Sequence, residues 1–129
     1  MVKKTEVKTK KVKKVVPYAN AYVLCTFNNT KLTLTDLSGN VLCWSNCGKL
    51  GFKGTKKSTA FAATKSAEDL FEKAQKFGVK EVNIFIKGLG QGRLAGPKGL
   101  KTAGFVVRNL TDITPVPHGG VKIKKIRRV

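Results

Sequence analysis

Four lysines and three glycines fall within residues 48–58 (Gly48, Lys49, Gly51, Lys53, Gly54, Lys56, Lys57), directly ahead of an amphipathic helical pattern. Glycine lets backbone approach a bulky partner, and free N–H groups at a helix start favour an anion. Lysines interleaved with such backbone suit a polyphosphate better than one small ligand. A second glycine-rich stretch, Gly88, Gly90, Gly92 and Arg93, follows Lys87. Its G-x-G-x-G spacing is not a dinucleotide fingerprint, and Gly54-Thr55-Lys56-Lys57-Ser58 lacks the earlier glycine of a Walker loop. Both loops are expected to offer N–H groups, with Lys53, Lys56, Lys57, Lys87 and Arg93, to nucleic-acid phosphates. The plainer alternative is tight-turn glycines beside solvated lysines.

The charge balance supports the first reading. The chain has 129 residues, with 26 Lys and Arg against seven Asp and Glu, a formal net charge of +19. Such a chain repels itself unless an oppositely charged partner neutralises it, and nucleic acid does so while releasing condensed counterions. No transmembrane run and no long basic amphipathic helix suits it to a membrane, and no signal peptide is visible, since Met1 leads into lysines. Catalysis needs paired carboxylates, a metal cluster or an activated nucleophile. Glu68, Asp69 and Glu72 read as helix ion-pair partners of Lys65, Lys73 and Lys76. Asp36 and Asp112 fall near strand ends, where turn capping is the ordinary role, and His118 has no evident acid or cysteine partner. Cys25, Cys43 and Cys47 are odd in number and make no zinc set with the distant His118. They are expected as buried or half-buried side chains in a reducing compartment. No catalytic residue, metal or cofactor is expected.

These residues need a frame to hold them. Residues 22–27 and 32–35 are rich in β-formers, with Asn28-Asn29 as a hairpin turn between them. Ser38-Gly39-Asn40 makes a second turn before a strand at 41–45. Ser58 or Thr59 caps a helix to about Phe77, with Ala60, Ala63, Ala67, Leu70, Phe71, Ala74 and Phe77 as its apolar stripe and Gly78 as its stop. A strand at 81–87 follows, then a short helix starting near Pro97, then a last strand at 105–110 parallel to the one before. Most aromatics are expected in the core; Phe52, in the basic loop, either packs beneath it or stacks on a base. The order βββαβαβ predicts an α/β fold with a mixed sheet. Three segments result: a disordered basic arm (1–17), an α/β RNA-binding domain (18–111) and an extended basic tail (112–129).

Several motifs, in order, resemble small-subunit ribosomal protein eleven of the bacterial and organellar type. They are Phe27-Asn28-Asn29-Thr30, Thr35-Asp36 with Gly39-Asn40, Trp44-Ser45, Gly51-Phe52-Lys53-Gly54 with Lys57-Ser58-Thr59, Lys87-Gly88 with Gly90 and Gly92-Arg93, and Asp112-Ile113-Thr114-Pro115 with Pro117-His118. The resemblance spans nearly the whole chain. It implies a ribonuclease H-like fold without nuclease activity, and ribosomal RNA binding on the small-subunit platform near the messenger exit, with messenger RNA close by. Neighbours would come from small-subunit families six, seven and eighteen. Carried over by position, RNA contacts fall on Asn28, Asn29, Lys53, Gly54, Thr55, Lys56, Lys57, Lys87, Gly88, Gly90, Gly92, Arg93 and Lys98. In the tail they fall on Pro117, His118, Gly119, Lys122, Lys124, Lys125, Arg127 and Arg128. The tail departs from the family: Gly119-Gly120-Val121 stands where Asn-Gly-Cys is usual, so the isoaspartate of that Asn-Gly cannot form. A diverged, lysine-heavy tail leans toward a mitochondrial ribosome, with the bacterial cytoplasm or a plastid as alternatives. The rival functions are a nuclease or RNA-processing enzyme on the same fold, and a general nucleic-acid packaging protein or RNA chaperone.

Overall fold

A computed structural model describes residues 15–128; most of the expected N-terminal arm, residues 1–14, lies outside them. Strands β1 (Tyr18–Cys25), β2 (Thr30–Thr35) and β3 (Val41–Asn46) form the antiparallel meander. Helix α1 (Ala60–Ala74) leads to β4 (Glu81–Gly88), and α2 (Gly92–Ala103) leads to β5 (Val106–Asp112). The sheet order is β3-β2-β1-β4-β5, with β4 parallel to both β1 and β5, so β2 alone runs against the rest. This is the expected βββαβαβ mixed sheet, consistent with the ribonuclease H-like architecture.

Period-2 alternation decides which face is covered. Ala19, Ala21, Val23 and Cys25 of β1, with Val82, Ile84 and Ile86 of β4, pack with Leu70 of α1 and Leu100 of α2 in one core. On the opposite face Tyr22 and Phe85, partners across β1 and β4, stack with ring centroids 5.2 Å apart. Thr59 caps α1 by accepting from the Ala62 N–H at 3.3 Å, and Gly78, with φ of 65°, ends the 3-10 turn that follows the helix. The buried stripe of α1 is rotated slightly from the expected one. Ala60 is exposed, while Ala62 and Ser66 are buried. Ser66 tolerates burial because its hydroxyl donates to the Ala62 carbonyl at 3.1 Å.

Two boundaries differ more. Helix α2 starts at Gly92, a full turn before Pro97, which lies inside the helix. Pro97 removes the bond its N–H would make to the Arg93 carbonyl. The glycines that weaken helix propensity are there because the helix lies very close to its neighbours. A Cβ on Gly92 would stand 2.0 Å from Thr30 Oγ1, one on Gly96 2.9 Å from Val23 Cγ1, and one on Gly99 3.0 Å from Ala67 Cβ. At the other end, residues 15–17, expected in the arm, dock on the body. Val16 is buried and donates its N–H to the Phe77 carbonyl, and the Pro17 carbonyl accepts from Lys80 and Glu81.

Candidate nucleic-acid interface

Because β1, β3, β4 and β5 run in the same direction, four connections leave or enter the sheet at their common carboxyl end. These are the β1–β2 turn with Asn28 and Asn29, the β3–α1 loop with Lys53, Gly54, Thr55, Lys56 and Lys57, the β4–α2 loop with Gly88 and Gly90, and the start of the tail. Open α/β sheets bind ligands at that end. Segments far apart in sequence are thereby gathered.

The turn and the β4–α2 loop touch. A Cβ at Gly88 would fall 2.1 Å from the Cys25 carbonyl oxygen, and one at Gly90 2.5 Å from that of Thr26. Only glycine permits this approach, at φ of 97° and 148°. Inside the turn, Thr26 Oγ1 accepts from the Asn29 N–H at 3.0 Å, and Asn29 Oδ1 accepts from the Thr30 N–H at 2.8 Å. Asn28 is exposed, and so is Phe27, at 76%. Phe27 is thus an exception to the expectation that most aromatics lie in the core.

In the β3–α1 loop, Asn46 Oδ1 accepts from the Lys49 N–H at 2.7 Å, and a 3-10 turn over Gly54–Ser58 carries Lys56 and Lys57 up to the α1 cap. No acid occupies the first turn of α1, so its positive dipole end adds to these lysines. Phe52 meets Phe61 edge-on at 6.1 Å, the packing alternative rather than a free stacking ring. Trp44, a second exception among the aromatics, is 48% exposed, with Lys49 Nζ 4.3 Å from its ring centroid. Phe27 and Trp44 are candidates that the residue-type reading passed over, and Lys49, counted in the glycine-lysine run, was left out of the expected RNA contacts. The signal for Lys49 was present, since it shares the same glycine-lysine run.

Arg93 faces inward. Its guanidinium donates to the Gly88 carbonyl at 3.0 Å and to Thr114 Oγ1 at 3.4 Å, and pairs closely with Asp112. Thr114 closes the clasp by accepting from the Gly88 N–H at 3.1 Å and donating its own N–H to Asp112 Oδ1 at 2.9 Å. The Arg93 guanidinium, helped by the two Thr114 donors, holds the Asp112 carboxyl well below the usual carboxylate range. Arg93 thus fixes where the tail departs. Beyond Thr114, Pro117, His118, Gly119, Lys122, Lys124, Lys125, Arg127 and Arg128 are exposed without regular structure. Lys87 is exposed near the end of β4, while Lys98 stands apart, midway along α2.

Of the acids expected to pair on α1, Glu68 meets Lys65 at 3.3 Å and Asp69 meets Lys73 at 2.8 Å. Asp36 Oδ1 accepts from the Ser38 and Asn40 N–H groups at 3.0 and 2.9 Å, so it builds the β2–β3 turn. Burial works to raise the Asp69 pKa, but hydrogen bonds from Lys73 and Ser45 outweigh it and lower the value, tying α1 to β3. Cys25 and Cys47 are buried, Cys43 half-buried, and burial pushes the Cys25 and Cys43 thiols up to about 11.

The profile of the family described as "Ribosomal protein S11" matches residues 19–128. The "Small ribosomal subunit protein uS11" of Treponema pallidum strain Nichols is 50% identical over 122 residues, covering 95% of this chain and 97% of the relative. The protein of the same name from a second strain, of Treponema pallidum subspecies pallidum, gives the same figures. Both relatives are bacterial, so the lean toward a mitochondrial ribosome has no support from them.

Proposed function

The chain belongs to the ribosomal protein S11 family, whose members are structural, non-enzymatic constituents of the small ribosomal subunit and bind ribosomal RNA; from that premise we propose that this chain grips its RNA with the carboxyl end of its sheet. The observation that carries the proposal is the convergence there of the two basic loops, the Asn28-Asn29 turn and the root of the basic tail. Lys53, Lys56, Lys57 and the tail cations neutralise phosphates where RNA helices converge, each contact releasing counterions. Exposed Phe27 offers its ring to an unstacked base. Arg93 acts through the clasp by aiming the tail. The chain sits on the platform near the messenger exit, beside proteins of families six, seven and eighteen, on a ribosome of bacterial type.

Sedimentation of the tagged protein from lysate through a salt-containing sucrose gradient tests this reading. Migration with the small subunit is expected, and a variant lacking residues 115–129 should wash off at lower salt. Recovery of the intact protein with bulk nucleic acid would favour the packaging alternative.

A further inference from the structure

Two lysines crowd one indole ring at the outer strand β3. Lys49, exposed on the β3–α1 loop, puts its Nζ 4.3 Å from the Trp44 ring centroid, and Lys73 on α1 puts its own 5.8 Å from the same ring. The two side chains also lie within hydrogen-bond reach of each other. An ammonium group has three donors and no acceptor, so two charged lysines in such contact only repel. If one gives up its proton, its lone pair accepts from the other.

The surroundings decide which one does. Lys73 donates to the Trp44 carbonyl at 3.1 Å and pairs with Asp69 Oδ2 at 2.8 Å, and the same carboxylate oxygen accepts from Ser45 Oγ at 2.8 Å. Both contacts of Lys73 favour its charged form. Its third N–H is left for Lys49, which makes no ion pair among the described residues. The hydrogen bond with Lys73 and the repulsion of its charge lower the Lys49 pKa, against the pull of Asp69. Burial works to lower that of Lys73, but its hydrogen bonds with Asp69 and Lys49 raise it. Cys43 stands near on β3, and Glu68 and Glu72 line a hollow with Leu50, Glu68 being engaged by Lys65. A ring face favours a cation, yet here one ring serves both nitrogens.

We propose that Lys49 is an acyl-acceptor site, a neutral amine that takes the acyl group of an acyl phosphate. The nitrogen lone pair bonds the acyl carbon, and the carbon–oxygen bond to phosphate breaks. Inorganic phosphate leaves with that electron pair, and the surplus proton on nitrogen passes to water. Lys73 is a positioning residue, since an adjacent cation is one way to make a lysine amine nucleophilic. A phosphate-bearing donor suits a loop that also carries Lys53, Lys56 and Lys57. The amide that results is uncharged, so one cation of the basic loop is removed. The site does not depend on the RNA grip proposed above.

Acetyl phosphate is the probe. The free full chain is treated from neutral to alkaline pH, and acetylation of each lysine is followed by peptide mass spectrometry, with Lys53 as the internal reference. Each unit taken from a pKa raises the neutral fraction about tenfold, part of which weaker nucleophilicity takes back. At neutral pH Lys49 should therefore react about threefold faster than Lys53, or more, and its rate should level off at lower pH. Lys73→Met should bring Lys49 down to the rate of Lys53, whereas Lys73→Arg, which keeps the adjacent charge, should keep it fast. Equal rates and midpoints for Lys49 and Lys53 in the unaltered chain overturn the proposal, as does a fast Lys49 in Lys73→Met. A neutral acetyl thioester, normalised to its rate with a free lysine derivative, should favour Lys49 less than acetyl phosphate does. The reverse order overturns phosphate as the leaving group. No RNA is present, so failure of the RNA site would leave every one of these rates unchanged.

Discussion

Thr30 and Gly92 show how single residues set the geometry of the interface. Thr30 is fully buried, its hydroxyl has no hydrogen-bond partner among the described residues, and it occupies the space a Cβ at position 92 would need. Gly92→Ala should cost about 1–3 kcal/mol through overpacking, although Ala is the better helix former. Thr30→Ala removes the clashing atoms, so the double variant should be more stable than the sum of its parts by about 1 kcal/mol. Urea denaturation of the four proteins measures that coupling, and simple additivity would refute the clash. The Asp112 clasp gives a pH prediction. Its folded pKa is depressed, so its contribution is complete above the unfolded value of about 3.9 and is lost as pH falls below that toward the folded value. Hydrogen exchange at the Gly88 and Thr114 amides should therefore be slow at neutral pH and should quicken, beyond the intrinsic trend, only in strong acid. Asp112→Asn should already exchange fast at neutral pH; identical profiles for the two proteins would rule the clasp out. Side-chain direction was the part hidden in the sequence here. Arg93 reads as a free cation until the fold brings Asp112 and Thr114 to it, and Phe27 reads as the last strand residue although β1 ends at Cys25.

At the scale of elements, the strands and α1 were legible because their periodicities and caps agree with their burial. Alternation in β4 and the Thr59 cap of α1 both survive folding unchanged. The start of α2 was not legible, because Gly92, Gly96 and Gly99 argue locally against a helix while tertiary packing requires them there. The β3–α1 loop offers the sharpest functional test. Lys56 and Lys57 stand on a 3-10 turn with no buried residue and Lys53 directly precedes it, so replacing the three with Ala should leave the fold alone. RNA affinity should fall, and the slope of log K against log salt should flatten by about 0.7–0.9 for each phosphate no longer neutralised. A parallel shift with unchanged slope would mean that these lysines do not meet phosphate. Phe27→Ala should behave oppositely, weakening binding by about 1–3 kcal/mol if one base stacks there, with the salt slope unchanged.

For the whole molecule, the division between body and extensions decides what holds the fold and what holds the RNA. The sequence suggested a boundary at residue 17 from composition alone, since Val15 and Val16 continue a lysine-valine pattern that shows no break. Packing puts the boundary earlier, because Val16 is buried and the Pro17 carbonyl accepts from both Lys80 and Glu81 at 3.1 Å. Two truncations that differ by a few residues should therefore separate. Removing residues 1–14 should leave the melting temperature of the free protein unchanged while lowering RNA affinity, the result expected of a basic arm. Removing residues 1–17 deletes a buried valine and leaves the Lys80 and Glu81 N–H groups without their acceptor. Loss of the valine burial alone should cost about 1.5–3 kcal/mol, enough to lower the melting temperature by several degrees in a domain of this size. Equal melting temperatures for the two truncations would show that residues 15–17 contribute nothing to the body, and the boundary would return to where composition put it.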